Sequence, residues 1–266
     1  MIKQTKKNLL GWTASTEERG VIVGSDKNQE WMLPWWYYHY HQHNTLPITF
    51  IDFGMSKKAL SWCKERGEIV TFREEIPITP KEQIPKNLQK EWTNPVYPNI
   101  WKSRNAWFKK PLACLYSPYK KTIWIDLDCQ VLRPLNHLFA FVEKEHSVSV
   151  TKHITCDLLN VKRWAYNSGV VVFYHGSPII QEWAKKAIAE NHLWFADDFL
   201  LTDLINQKKE KFIELPPFFN WMYFDQKNSN PDLPIHIIHY YSAAGKKIIQ
   251  KQIEFHTYIL QTDLTL

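Results

Sequence analysis

The chain has 266 residues, 44% hydrophobic and 23% charged, enough to bury a substantial core and too apolar for a disordered segment. Its net charge of +6 comes largely from dispersed lysine pairs, at 6–7, 57–58, 109–110, 120–121, 185–186, 208–209 and 246–247. That dispersal argues against nucleic acid as a partner and leaves at most a weak attraction to an anionic membrane surface.

Aromatics are abundant, with 13 Trp, 12 Tyr and 14 Phe, whereas 8 glycines are too few for a fold running on many Gly-rich phosphate loops. Four cysteines, Cys63, Cys114, Cys129 and Cys156, lack zinc-site spacing, and the first two read as small buried hydrophobes of a reducing cytosol. After the basic start only Leu9 and Leu10 follow, which is no signal-peptide core. No stretch approaches the roughly 20 apolar residues of a membrane span. Together these features predict a cytoplasmic protein, at most peripheral at the inner face of the membrane.

In chain order, Val21–Val23 predicts a strand with a polar exit at Gly24-Ser25-Asp26, and a helix follows from Trp31 to His43. The His39, His41, His43 alternation scatters around such a helix and reads as exposed polar positions. Ile48–Phe53 predicts a second strand. Ser56 caps a helix through Arg66, with Gly67 at its end, and Ile69–Phe72 predicts a third strand. This β-α-β-α-β alternation implies a parallel sheet covered by helices. The five prolines between 74 and 99 predict a long excursion, with Trp92, Tyr97, Trp101 and Trp107 around it as either core or an acceptor surface. A helix interrupted by Pro111 is expected over 105–116.

Next comes Thr122-Ile123-Trp124-Ile125-Asp126-Leu127-Asp128. Ionised carboxylates are costly to bury unpaired, so the strand leaves the core here. Residues i and i+2 of a strand share a side, so Asp126 and Asp128 can converge on one hard cation. Strands are expected at 146–151 and 169–174. Ser177-Pro178 opens an amphipathic helix carrying Ile180, Trp183, Ala184, Ala187 and Ile188. Another helix spans Asp197 to Ile205, and late strands are expected at 211–215 and 235–240. No linker divides the chain, so one α/β domain over 1–266, with a mostly parallel central sheet, is expected.

The order of these motifs resembles the GT-A glycosyltransferases, family 8-like and bacterial, over most of 20–247. Five segments carry the resemblance: Val21–Asn28; Ile123–Asp128 followed by Val131-Leu132-Arg133-Pro134-Leu135; Tyr166-Asn167-Ser168-Gly169; Asp197-Asp198-Phe199; and His239 with Gly245-Lys246. Departures from the family pattern are Gln29 for a Tyr, Asp198 for a Gln and Phe199 for a second Asp.

The resemblance implies a Rossmann-like nucleotide-diphospho-sugar transferase, hexosyltransferase-like. It would move a sugar from a nucleoside diphosphate sugar, a UDP-sugar by analogy, to a hydroxyl of a glycan, lipid or protein. It assigns Asp126, Asp128 and His239 to Mn²⁺ or Mg²⁺, the imidazole favouring Mn²⁺. It assigns Asp26 and Asn28 to the base, and Lys109 (or adjacent Lys110) and Lys246 (or Lys247) to the phosphates. Asp197, Asp198 and Asn167 fall beside the reacting sugar. The departures motivate an alternative, a non-catalytic nucleotide- or sugar-binding relative acting as an interaction protein. A phosphatase reading of Asp126-x-Asp128 is weaker, because Gln130 stands where that motif has Thr.

Overall fold

The computed structural model describes residues 17–72, 75–93, 100–144, 147–153, 165–224, 234–258 and 264–266. The expectations for Leu9, Leu10, Tyr97, His146 and Cys156 lie outside the described residues. Strands β1 (Glu17–Ser25), β2 (Ile48–Asp52) and β3 (Glu68–Thr71) alternate with α1 (Leu33–His41) and α2 (Lys57–Lys64). Then come α3 (Lys86–Trp92), α4 (Ile100–Trp107), α5 (Lys109–Cys114), β4 (Tyr119–Ile125) and β5 (Cys129–Val131). They are followed by β6 (Val148–Lys152), β7 (Tyr166–Tyr174), α6 (Pro178–Ala189), α7 (Asp197–Gln207) and β8 (Phe212–Leu215). The last elements are β9 (Trp221–Met222), β10 (Ile237–His239) and α8 (Ser242–Tyr258).

The main sheet has seven strands in the order β3-β2-β1-β4-β7-β6-β8. β3, β2, β1 and β4 run parallel, β7 is antiparallel to both β4 and β6, and β8 is parallel to β6. The mostly parallel α/β architecture therefore stands. Its central strands are buried on both faces, and their side chains alternate between two cores. Val21, Val23, Ile123, Ile125, Val170 and Val172 pack with Trp35 and Trp36 of α1. Ile22, Trp124, Val171 and Phe173 pack on the other face against α5, α6 and α7.

Local chemistry sets several boundaries. Ser56 Oγ accepts from Ala59 N to cap α2, and Ser177 Oγ accepts from Ile180 N to cap α6, with Pro178 at its first position. Cys63 and Cys114 are buried thiols, as expected. The described part of the excursion, residues 75–93, includes α3. The helix expected over 105–116 is two helices that meet at Phe108. Pro111 lies in the first turn of α5, where its missing N–H costs no intrahelical bond. The late strands are not in the main sheet together: β10 joins a second, three-stranded sheet of order β5-β10-β9.

One histidine overturns its expectation. His41 and His43 are exposed, but His39 is only 8% exposed. It packs edge-on against Trp35 and lies 3.3 Å from Gln130 Nε2. His39 and His41 lie on α1, which ends before His43, and α1 lies along β5, which turns His39 inward. Burial, helped by His256 and His43, lowers the His39 pKa from 6.5 to about 4. The unfolded chain therefore takes up this proton first as pH falls. Stability should decline from about pH 6.5 towards pH 4, by on the order of 3 kcal/mol. Melting curves across that window check this, and His39→Phe should flatten the slope.

Candidate functional site

The candidate site lies where strand direction reverses, at the carboxyl end of β4 and the amino end of β7. Open α/β sheets present ligand crevices at the carboxyl ends of parallel strands where the strand order reverses, here between β1 and β4 in the run β3-β2-β1-β4. Asp126 N donates to Gly169 O at 2.8 Å, which holds the two strand ends together. Asp126 and Asp128 are not in the strand. They occupy the turn between β4 and β5, so a shared strand face does not orient them as expected, and the turn points them at different partners.

Asp126 faces Lys110. The Lys110 ammonium donates to Asp126 Oδ2 at 2.9 Å, Ser168 Oγ at 3.0 Å and Ser168 O at 3.2 Å, and lies 3.6 Å from Asp197 Oδ2. Trp124 Nε1 donates to Asp126 Oδ1 at 2.6 Å, and Ser168 Oγ donates to Asp197 Oδ2 at 2.8 Å. Burial disfavours the ammonium, but the Asp126 and Asp197 carboxylates outweigh it and push the Lys110 pKa up. Asp197 moves up as well. Burial and the neighbouring Asp126 charge raise it, against the pull of Lys110.

Asp128 faces His239, whose Nε2 lies 3.3 Å from Asp128 Oδ1. Burial opposes ionisation of Asp128. His239, Lys246 and Lys110 outweigh burial and hold its carboxyl well below the usual range. Gly169 makes room for the imidazole, since a Cβ there would sit 2.3 Å from His239 Cε1 and 2.9 Å from Asn167 Oδ1. Cys129 is also within reach, and the donor atoms of Asp128, Cys129 and His239 lie within 4.8 Å of one another. Burial drives the Cys129 thiol far up, and its side chain packs in the core.

Lys110, Asp126, Asp128, Ser168, Asp197 and His239 line a cleft of about 270 Å³. Four carboxylates, Asp126, Asp128, Asp197 and Asp198, and two lysines, Lys110 and Lys246, are among the described residues lining it. His239 Nδ1 is buried without a hydrogen-bond partner. A carboxylate beside an imidazole, in a cleft lined by more carboxylates than ammonium groups, suits a divalent cation. Asp126 stands adjacent, with both oxygens already oriented by Trp124 and Lys110.

The structure thus gathers Asp126, Asp128, His239, Asp197, Asp198, Asn167 and Lys246 around one cleft. Asn167 Oδ1 accepts from Gly169 N at 2.8 Å and from Asn220 Nδ2 at 2.9 Å. Lys246 reaches the cleft from α8, and Lys247 is exposed outside it. The chain turns between β10 and α8 at Ser242, whose φ of 72° is rare for a residue with a side chain. Gly245 answers a packing need rather than a ligand's: a Cβ there would lie 2.0 Å from Tyr240 O.

Three expected residues lie outside the cleft lining. Lys109 is one step from it, with its ammonium 5.8 Å from the Phe53 ring centre. Asp26 and Asn28 form a self-contained turn, in which Asp26 Oδ1 accepts from Asn28 N at 2.9 Å and Gln29 N at 3.0 Å. It is Gln29 that lines the cleft. Sequence reasoning missed Ser168 and Trp124. Ser168 sits inside the quoted Asn-Ser-Gly run, which was its only signal.

No family model and no curated protein matches the sequence. Solved structures do match the fold. An active-site mutant of LgtC superposes with TM-score 0.58 at 12% identity, over 87% of this chain and 94% of its own. The galactosyltransferase LgtC in complex with donor and acceptor sugar analogues gives 0.56 at 14% identity, over 85% and 88%. Mouse xyloside xylosyltransferase 1 gives 0.50 at 10% identity, over 84% and 97%. The chain has the GT-A glycosyltransferase fold.

Two substitutions probe the site. Gly169→Ala should displace His239 and cost about 1–3 kcal/mol in an unfolding titration. Lys110→Met strands Asp126 and Asp197 and should cost about 3–5 kcal/mol by denaturant unfolding.

Proposed function

We propose that the protein is a metal-dependent glycosyltransferase that moves a sugar from a nucleoside diphosphate sugar, a UDP-sugar first among them, to a hydroxyl acceptor. One observation carries the reading. The Asp128–His239 pair lies beside the Lys110-centred ion cluster at the direction-reversing edge of a GT-A sheet. That is where a diphosphate and its cation would need to sit.

In the transfer, a bond forms between the acceptor oxygen and the anomeric carbon. The bond from that carbon to the β-phosphate oxygen breaks, and its electron pair leaves with the nucleoside diphosphate. A bound Mn²⁺ would neutralise the charge that develops on the leaving oxygen. Asp128 and His239 would hold the cation, with Asp126 fixed beside them by Trp124 and Lys110. Mn²⁺ is favoured over Mg²⁺ because one donor is imidazole.

Lys246 would meet the diphosphate from the α8 side. Its half-buried ammonium stabilises the transition state more than the bound donor, because charge grows on the leaving group as the bond breaks. The Asn167 carbonyl oxygen is committed to Gly169 and Asn220, which leaves its amide hydrogens for the donor sugar. Asp197 and Asp198 supply carboxylates for sugar hydroxyls and for the proton that the acceptor hydroxyl releases. Gln29, from the turn after β1, is the nearest polar side chain of that segment for the nucleoside. Asp26 shapes that turn, with Asn28 bonded to it.

A thermal-shift screen of UDP, GDP and TDP with Mn²⁺ tests the binding half. The right nucleotide at about 100 times its Kd should add about 2.7 kcal/mol of stability. Asp128→Asn should abolish the metal-dependent part of that shift, and silence across the whole panel would reject the reading. Lys246→Ala should lower kcat at least tenfold with a smaller change in donor KM, whereas Lys247→Ala should leave kcat/KM within about twofold.

A further inference from the structure

Asn167 lines the cleft from the start of β7. The ladder between β6 and β7 breaks beside it: Val150 pairs with Val171, and the next residue, Thr151, pairs with Asn167. Ser168, Gly169 and Val170 are passed over on that side. An irregularity of this kind re-aims side chains next to a site. Regular strand pairing does not orient a side chain at such a break, so other bonds have to hold it.

Two donors do so. Gly169 N donates to Asn167 Oδ1 at 2.8 Å, and Asn220 Nδ2 donates to the same oxygen at 2.9 Å. The orientation of both amides follows from the first bond. A backbone N–H can only donate, so the Asn167 atom facing Gly169 is its oxygen. The Asn220 atom 2.9 Å from that oxygen is then its amide nitrogen, because two carbonyl oxygens at that distance would repel. One bond would leave the Asn167 amide free to swing about it, whereas two on the same oxygen fix its plane. The amide hydrogens are the end that Asn167 can then offer a ligand in the cleft.

The Asn220 carboxamide does little for its own surroundings. Asn220 is 1% exposed, and its Oδ1 is buried without a hydrogen-bond partner. An apolar side chain of similar shape would avoid that cost. Other contacts hold the local backbone. Asn220 N donates to Pro217 O at 3.1 Å, His236 N donates to Phe218 O at 2.8 Å, and the flanking Phe219 and Trp221 are buried. The carboxamide is therefore explained by what it does to Asn167 rather than by the turn that carries it.

The same bond also spans two sheets. Directly after Asn220, β9 pairs with β10, Trp221 with Ile238 and Met222 with His239. His239 in turn pairs with Cys129, next to Asp128. Asn220 thus stands on the backbone of the small sheet that presents the Asp128–His239 pair, and Asn167 stands on the main sheet.

We propose that Asn220 is a positioning residue of the transfer site: it turns the Asn167 amide hydrogens towards the donor sugar and sets that amide relative to the Asp128–His239 pair. This rests on the glycosyl-transfer reading above, and one experiment separates the two. Nucleoside diphosphate release to water is measured with Mn²⁺ and UDP-glucose, UDP-galactose, UDP-xylose, GDP-mannose or TDP-glucose. No release from any donor by the wild type overturns the transfer reading, and this inference with it.

With the donor that is turned over, Asn220→Leu keeps the branched shape without the amide, and Asn220→Ala removes the amide with less bulk. Both variants should fold, and both should bind the matching nucleoside diphosphate with Mn²⁺ within about twofold of wild type by calorimetry, while kcat/KM for the donor falls about tenfold. In an Asn167→Ala background the same substitutions should change kcat/KM by less than about twofold, because Asn220 acts through Asn167. Failure of both Asn220 variants to fold makes the amide structural and overturns the proposal. A folded variant that keeps kcat/KM within about twofold of wild type, or that loses nucleoside diphosphate affinity as far as kcat/KM, overturns it too. So does a full tenfold loss in the Asn167→Ala background, since the amide then acts elsewhere. An Asn167→Ala protein within about twofold of wild type overturns it whether or not the Asn220 variants fold.

Discussion

The Lys110 ammonium is the contact on which the site depends. It is almost fully buried, a position that is costly for a lone charge, and it is balanced by Asp126 and Asp197 with Ser168 filling its remaining donors. These four groups come from α5, the end of β4, β7 and the start of α7. One cation therefore brings together four elements of distant sequence at a single point. Asp128, Asp198 and Lys246 line the same cleft.

Sheet topology explains why the cluster lies where it does. β1 and β4 run parallel and end at the same edge, and β7 starts at that edge because it runs the other way. Turns and strand ends are where carboxylates can leave the core, so the polar residues of three strands collect there. The second small sheet brings His239 to the same point by pairing β10 with β5 directly after Asp128. Tyr240 N donates to Asp128 O at 2.8 Å, so the Asp128–His239 pair is tied through the backbone as well as the side chains.

A second polar chain secures α8, which carries Lys246. Trp35 Nε1 donates to Gln252 Oε1 at 2.9 Å, and Gln252 Nε2 donates to Tyr240 Oη at 3.1 Å. Tyr240 Oη donates to Gln130 Oε1 at 3.0 Å, and Gln130 Nε2 approaches His39. Each of these groups would be expensive to bury alone. Linked, they hold α1, β5, β10 and α8 in one register, and with them the lysine facing the cleft. Among the described residues, no helix is long and apolar enough to cross a membrane.

Much of this was legible in the residues themselves. Strand-helix alternation, the Ser56 and Ser177 caps, the break in pattern at Asp126-x-Asp128 and the order of the motifs depend on neighbours a few positions apart. Periodicity and capping chemistry act over that range, so they can be read without a fold. Charge placement across the chain could not be read this way. Whether Lys109 or Lys110 enters the cleft depends on the break between α4 and α5 at Phe108. Whether His39 is buried depends on α1 lying along β5. The roles of Ser168, Trp124 and Gly169 appear only when β7 meets the β4 turn, because each acts on a residue far away in sequence. The sequence determined which elements form and which polar residues end them; tertiary packing decided which of those residues share a cation, because burial and electrostatic pairing are set by distance in space and not along the chain.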